Sequence, residues 1–535
     1  MVDADKVQIA QIRAELLAAV DKLSNRCLYQ ASKWAAEALN GMEGDSTSDV
    51  VPDYLLPDQT TAKDLFARSC FACHEYDRSA DILKNSDSPL SVFLRLYSKY
   101  ISGEKKKDED RGGVMTAKDV RTPNCYTDEI LRDLESSAHF KSDPFLLYLY
   151  GVLMRQQGND EAAITALLES VNLFPYNWSA WQDLLACIPS IDSLNSIIKR
   201  LPDNIMSSLF LINAYQELYQ VDDRTFGLLR TLQVVFPRFM FLNTQKALLH
   251  YHSLNYNESE TEFDNVLRQD PHRLDDLDAY SNILYVMERR SKLAFLAQLA
   301  STTDKFRPET CCIIANYYSL KSEHEKAIQY YQRALLLNSN TLSAWTLMGH
   351  EYIELKNTHA AIESYRRAVD ANKRDFRAWY GLGQAYEVLD MHYYSLYYYQ
   401  RAAALRPHDV RMWQAMGHSY EKLDRLDDSI KAYKRALRVS NMDPLILLKI
   451  AMLYTQQQDM ETAASFMKMC VAEESVEGSQ TEETARARLW LAKYEMDKGN
   501  WSRAHAYAES ITRGSANEIE EARIIVRETK NRQLH

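Results

Sequence analysis

Ser343-Ala-Trp-Thr-Leu-Met-Gly-His-Glu-Tyr352 returns, altered but in register, as Arg377-Ala-Trp-Tyr-Gly-Leu-Gly-Gln-Ala-Tyr386 and Arg411-Met-Trp-Gln-Ala-Met-Gly-His-Ser-Tyr420. The tryptophans stand at positions 345, 379 and 413, an interval of 34 residues. Gly349, Gly383 and Gly417 keep that interval, as do Tyr352, Tyr386 and Tyr420. So do Tyr365, Tyr399 and Tyr433, followed by Ala368, Ala402 and Ala436. A period of this length marks a stacked supersecondary unit, and each place has a physical use. Glycine lets the first helix of a pair approach the second, and the alanines do the same from the other side. The tryptophans and tyrosines fill the gaps between successive pairs, so each pair buries its apolar face only by stacking on its neighbours.

This is the tetratricopeptide (TPR) pattern, and it predicts an all-α protein, a superhelical solenoid of stacked antiparallel helix pairs. The frame runs upstream through Ala315, Tyr318, Ala327, Tyr331 and Ala334 in a unit opening at Pro308, and downstream through Ala451, Tyr454 and Ala463 in one opening at Pro444. Units near Met206, Met240 and Leu274 hold the register, two of them closed by Pro237 and Pro271, as expected just past a helix end. Gly151, Gly158, Ala163 and Pro175 mark a unit from Pro144, and a last one follows Gly499-Asn-Trp-Ser-Arg-Ala504. The expected organisation is an N-terminal helical block with a degenerate repeat from Thr60 (1–101), a charged flexible insert (102–143), the main array (144–472), an acidic inter-repeat loop (473–484), a last repeat (485–519) and a C-terminal helix or tail (520–535).

Composition narrows the function. Hydrophobic residues form 46% of the 535, enough for a large core, while 15 Gly and 13 Pro are too few for the turns of an all-β chain. A net charge of −11 argues against nucleic acid, which asks for a basic face. No stretch approaches a membrane span, and Met1-Val-Asp-Ala-Asp-Lys6 has no apolar leader core. Eight cysteines without framework spacing read as reduced thiols, pointing to the nucleus and cytoplasm.

The motifs that suggest chemistry give way to the repeat. Cys70-Phe-Ala-Cys73-His74 has the spacing of a haem attachment site, but Ala67 and Cys70 already occupy the small and aromatic places of a first helix. His350-Glu-Tyr-Ile-Glu354 begins like a zinc-protease helix and lacks the second histidine; Gly381-Leu-Gly383 lies inside a helix with no strand before it. Cys311-Cys312 reads as helix packing, and Lys105-Lys-Lys107 followed by Asp108-Glu-Asp110 as a solvated loop. Nothing asks for a metal, a cofactor or a catalytic residue.

Binding is a different matter. The ninth place of each unit commonly faces the concave groove, and over five units it reads Asn282, Asn316, His350, Gln384 and His418. Amides and imidazoles there can bond an extended peptide backbone. Asp278, Tyr380, Glu387 and Glu421, with Glu354 nearby, add a preference for a peptide bearing Arg or Lys. The fifth places (Asp278, Cys312, Thr346, Tyr380, Gln414) lack the cations with which a co-chaperone clamps a carboxylate tail. The expected partner-peptide contacts are Asn282, Asn316, His350, Glu354, Tyr380, Gln384, Glu387 and His418.

Beyond the repeat, Leu28-Tyr-Gln-Ala-Ser-Lys-Trp34, Leu274-Asp-Asp-Leu-Asp-Ala-Tyr-Ser-Asn-Ile-Leu-Tyr-Val286, Ala344 to Tyr352, Asn372 to Gly383 and Tyr397-Tyr-Tyr-Gln-Arg-Ala402 resemble the subunit 8 family of the anaphase-promoting complex (cyclosome), the cell-division-cycle protein 23 type. The resemblance runs to about Thr512. It implies a non-catalytic scaffold in a cullin–RING-type ubiquitin ligase of the cell cycle, paired with a second copy through its N-terminal repeats. It also implies stacking on other TPR subunits and capture of the Arg-containing C-box of a coactivator in the groove. A free TPR adaptor or co-chaperone for short peptides is the alternative.

Overall fold

The computed structural model describes residues 2–42, 58, 60–111, 124–338, 341–440, 442–477 and 480–533, which hold 29 helices and no strand. The described chain forms two compact units, 1–321 and 322–535.

In the second unit the 34-residue period becomes a period of contacts. The aromatic of each second helix lies against the glycine of its first: a methyl group on Gly349 would meet Tyr365 at 2.5 Å, on Gly383 Tyr399 at 2.4 Å, and on Gly417 Tyr433 at 2.8 Å. Glycine is needed at these places for the approach of a ring, since they lie within helices of ordinary backbone. The rings are almost wholly buried, Tyr365 and Tyr399 at 0% and 1% exposure, and helices meet this closely only where one of them lacks a Cβ. A second ladder runs between successive pairs. Gln332 donates to the Tyr352 hydroxyl at 3.4 Å, Arg366 to Tyr386 at 2.7 Å, Gln400 to Tyr420 at 3.3 Å and Lys434 to Tyr454 at 2.7 Å. The indoles of Trp379 and Trp413 each donate to a turn carbonyl, of Lys373 (2.9 Å) and Pro407 (2.8 Å), which fixes the entry into the first helix. The chain closes with helix Ala516–Gln533, held by Arg486–Glu518 at 2.8 Å and by Arg532 over the Trp501 ring at 4.5 Å.

In the first unit, two helices precede the repeats, Val2–Asn25 and Tyr29–Asn40, and form a hairpin. The degenerate repeat follows as Ala62–Ala72 and Tyr76–Ile82, opened by a capping box in which Thr61 and Asp64 satisfy each other's backbone groups. Cys73 and His74 end its first helix, His74 in the left-handed region at φ 61°. Cys70 is buried while Cys73 is exposed, so the two thiols face different surroundings.

Two boundaries differ from the sequence expectation. Helix Pro89–Arg111 runs straight through the first part of the segment read as an insert, and Thr127–Ser136 forms a further helix within it. Lys-Lys-Lys-Asp-Glu-Asp is helical because opposite charges fall three and four residues apart, as in Lys105–Glu109 at 3.9 Å and Lys107–Glu104 at 3.4 Å. Lys106 also reaches Asp77 (3.1 Å) and the Tyr126 hydroxyl (2.6 Å), while Ile130 and Leu134 are fully buried. Gly112, Gly113 and Pro123 lie outside the described residues. The acidic stretch 473–484 likewise divides between helices. Met460–Glu477 takes its first half, and a Thr481–Thr484 capping box starts Glu482–Asp497 in its second.

Candidate functional site

The second unit carries a cavity of about 360 Å³ on its first-helix face. Helix Phe376–Val388 contributes Tyr380, Gln384 and Glu387, whose spacing of four and three residues puts them on one side. Helix Val410–Lys422 adds Arg411, Gln414, Ala415 and His418 by the same spacing. Helix Pro444–Gln456 supplies Leu445, Ile446 and Lys449, and the second helices send in Tyr399 and Tyr433 between them.

Its polar groups form one chain. The Tyr399 hydroxyl donates to Glu387 Oε2 at 2.5 Å, and the Tyr399 ring lies 5.3 Å from that of Tyr380. His418 stands between two carboxylates, its Nε2 3.5 Å from Glu387 Oε1 and its Nδ1 3.9 Å from Glu421 Oε2. That Glu421 oxygen is buried without a hydrogen-bond partner among the described residues, with Lys449 Nζ at 3.7 Å. Burial, then the bond to Glu387, pushes the Tyr399 phenol far above the ordinary range. Burial and the charges of Glu421 and Glu387 do the same to Tyr433. Both phenols are therefore donors at physiological pH. Arg411 is held by Asp409 at 2.9 and 3.2 Å. Chemically, the cavity offers the Glu387 carboxylate against an aromatic wall, with Glu421 across His418 from it. Such a wall suits a planar cation or a backbone donor.

The residues expected from the ninth-place ladder do not all come together. Tyr380, Gln384, Glu387 and His418 line this one cavity. His350 is turned onto its own pair: its Nδ1 lies 2.8 Å from the Tyr365 hydroxyl, and burial pushes the imidazole down to about 4, so it is neutral. Glu354 is exposed at the end of helix Leu342–Glu354. In the first unit, Asn316 is 2% exposed and its amide donates to Ser281 Oγ and Asn282 Oδ1, each at 2.7 Å, so the two asparagines bond to each other. The ladder also omits Tyr399 and Tyr433, which the repeat pattern uses as packing rings, and Lys449. The ring positions carried a signal all the same, since a phenol in a packing place still brings a hydroxyl that must find an acceptor.

Residues 11–247 match the family described as "Anaphase promoting complex subunit 8 / Cdc23", and residues 308–341, 349–389 and 410–441 match tetratricopeptide repeats. The chain is 40% identical to "Anaphase-promoting complex subunit CDC23" of Saccharomyces cerevisiae, over 98% of this chain and 99% of that one. It is 40% identical to "Anaphase-promoting complex subunit 8" of Arabidopsis thaliana over 65% of this chain and 66% of that one. The human "Cell division cycle protein 23 homolog" shares 36% over 55% of this chain and 50% of its own length. Among solved structures, the "APC/C hetero-tetramer Cut9-Hcn1" covers 88% of this chain and 96% of its own at TM-score 0.53 and 13% identity, a likeness of fold. With a relative 40% identical from end to end and the family's own signature on its N-terminal half, the chain belongs to the subunit 8/Cdc23 family of the anaphase-promoting complex.

Proposed function

We propose that this family member works without catalysis as a scaffold of a cullin–RING-type ubiquitin ligase in nucleus and cytoplasm. In this reading it holds an Arg-bearing coactivator peptide, the C-box, in the cavity between Tyr380 and Lys449. The observation that carries the reading is Glu387, a carboxylate that lines the cavity with Tyr380, Tyr399 and Tyr433 and accepts from the Tyr399 hydroxyl, with Glu421 across His418 from it. A carboxylate against an aromatic wall favours a charged donor, and an arginine fork supplies two bonds. The cations present are engaged, Arg411 by Asp409 and Lys449 near Glu421, which disfavours the alternative of a co-chaperone clamp for a C-terminal carboxylate. Pairing with a second copy rests on the first three helices, which leave Leu17, Tyr29, Leu65 and Phe66 half exposed. Apolar side chains in such numbers on one block mark an interaction surface. Stacking on other TPR subunits is consistent with the fold shared with a chain from a hetero-tetramer of that complex.

The test is fluorescence anisotropy with a labelled C-box peptide and its Arg→Ala form. Glu387→Gln should weaken the arginine peptide about ten- to a hundredfold, since a charge-assisted bond is worth roughly 1.5–3 kcal/mol, and Glu421→Gln, outside the lining, should weaken it less. They should leave the alanine form, already weak, where it was. Equal loss for both peptides, or none for either, would remove the cavity from the reading. Purification of the tagged chain from dividing cells should retain cullin-like, RING and other TPR subunits in fixed proportion. Retention of chaperones alone would favour the free adaptor.

A further inference from the structure

In a solenoid each repeat touches only its neighbours, and the N-terminal hairpin of the first unit breaks that rule. Its second helix, Tyr29–Asn40, crosses the turns that open several helix pairs far apart in sequence. Trp34 lies flat on Trp178, ring centroids 4.3 Å apart and planes within 3°, with the edges of Phe239 and Phe241 at 5.4 and 5.7 Å. Gly41 packs on the Phe239 backbone so closely that a Cβ would sit 2.7 Å from its Cα, and the Gly41 carbonyl accepts from Arg238 N at 3.1 Å. Glu37 takes the Arg273 guanidinium at 2.6 Å, and Lys33 reaches Asp275 at 2.8 Å. The first helix adds a bond from the Tyr176 hydroxyl to Glu15, and the turn after it sets Arg26 over the Phe145 ring at 4.1 Å.

The seam between hairpin and array is apolar at its centre but incompletely hydrogen-bonded. Buried polar atoms without a partner among the described residues gather along it: Arg26 Nε, Trp34 Nε1, both side-chain polar atoms of Asn177 and Arg273 Nε. Each such atom carries the cost of a buried, unsatisfied group, which offsets part of the apolar contact that Leu16, Ala19, Leu23, Ala35 and Ala38 make in one core with the array. Of its ion pairs, Lys33–Asp275 sits at the surface, Lys33 being 57% exposed, while the Arg273 side chain of the other is 6% exposed.

We propose that the hairpin is a detachable strap: in place it ties the turns at Phe145, Trp178, Phe239 and Arg273 together and sets their curvature, and it opens as one body ahead of the repeats it crosses. Opening uncovers an aromatic seat, Trp178 with Phe239 and Phe241, flanked by Arg273 and Asp275, whose ligand is this chain's own residues 28–42.

Hydrogen exchange on the full chain tests this. Arg273→Glu opposes Glu37 and should speed exchange of residues 29–40 about tenfold or more, while helices Pro144–Gln156 and Met240–His252 stay within about twofold, because opening is local. Adding Glu37→Arg should restore the original rate. Should Arg273→Glu prevent folding, Lys33→Glu, on an exposed side chain, must give the same pattern in weaker form. A synthetic peptide of residues 28–42 should bind the Arg273→Glu/Asp275→Lys chain only when the peptide carries the matching reversal, Lys33→Glu and Glu37→Arg. Loss of protection in 29–40 and the array together would make the hairpin an integral part of the core and overturn the strap, as would unchanged exchange in 29–40.

Discussion

Placing a methyl group on Gly383 tests whether the repeat glycine is there for steric reasons. The new Cβ would stand 2.4 and 2.5 Å from Tyr399 Cε1 and Cδ1, well inside van der Waals contact. The ring cannot retreat at low cost, being 1% exposed, tied through its hydroxyl to Glu387 and flanked by Tyr380. Overpacking of this kind costs about 1–3 kcal/mol. If the ring shifts to relieve it, the hydroxyl–carboxylate bond weakens, a further loss of about 1.5–3 kcal/mol when complete. Against these stands the helix preference of Ala over Gly, about 1 kcal/mol. The net expectation for Gly383→Ala is a loss of about 2–4 kcal/mol in the second unit. Gly227 supplies the control: it lies inside helix Asp223–Val235, is exposed, and a Cβ there meets nothing within 4 Å. Gly227→Ala should gain about 0.5–1 kcal/mol. Native-state hydrogen exchange in urea reads the two helices separately, which a single melting curve of a two-unit chain does not. If Gly383→Ala proved neutral or stabilising like Gly227→Ala, the close approach would be relaxed away and the steric account of the glycine would fall.

Two titrations follow from burial. His350 has its folded-state value lowered from 6.5 to about 4, so the unfolded chain takes up a proton first and stability is lost as pH falls through that window. His350→Gln should remove on the order of 2–3 kcal/mol of that loss, seen as a smaller drop in urea midpoint between pH 7.5 and 4.5; an unchanged drop would mean the imidazole is charged in the fold. Asp276 behaves in the opposite sense. Burial, with Asp278 next and Arg273 opposing, pushes it up from 3.8 to about 7, so its cost appears as pH rises from about 4 to 7 and is full above that. Asp276 also holds a left-handed backbone, φ 63°, which Asn tolerates. Asp276→Asn should therefore stabilise the first unit by about 1–3 kcal/mol at pH 8 and by nothing at pH 3. Equal effects at both pH values would show that charge is not the cause.

Much was legible in the one-dimensional pattern. Trp, Gly, Tyr and Ala at a 34-residue interval name the pair, the register and the face on which Tyr380, Gln384, Glu387 and His418 appear, because in a solenoid each place has the same neighbours in every repeat. Family-specific blocks then separate this chain from the generic repeat. What failed to read was whatever depends on a particular neighbour. His350 and Gln384 hold the same ninth place, yet one has Tyr365 within reach and is closed by it while the other lines the cavity. The Lys-Lys-Lys-Asp-Glu-Asp run looks like a loop by composition and is helical because its charges pair along the turn and onto Asp77 and Tyr126.

The sequence by itself determined the helix pairs, their period and the family, since these are set by contacts within a repeat and with the next one, and short-range periodicity is written directly in the order of residues. Only the tertiary structure decided which ladder residues meet in one cavity, that Tyr399 aims its hydroxyl at Glu387, and that Trp34 crosses more than a hundred positions to lie on Trp178. The physical reason for the first two is the particular side chain each place happens to face; the third depends on the summed rotation of several stacked pairs. A small turn per repeat, invisible in any one of them, brings distant side chains within a few ångströms of each other.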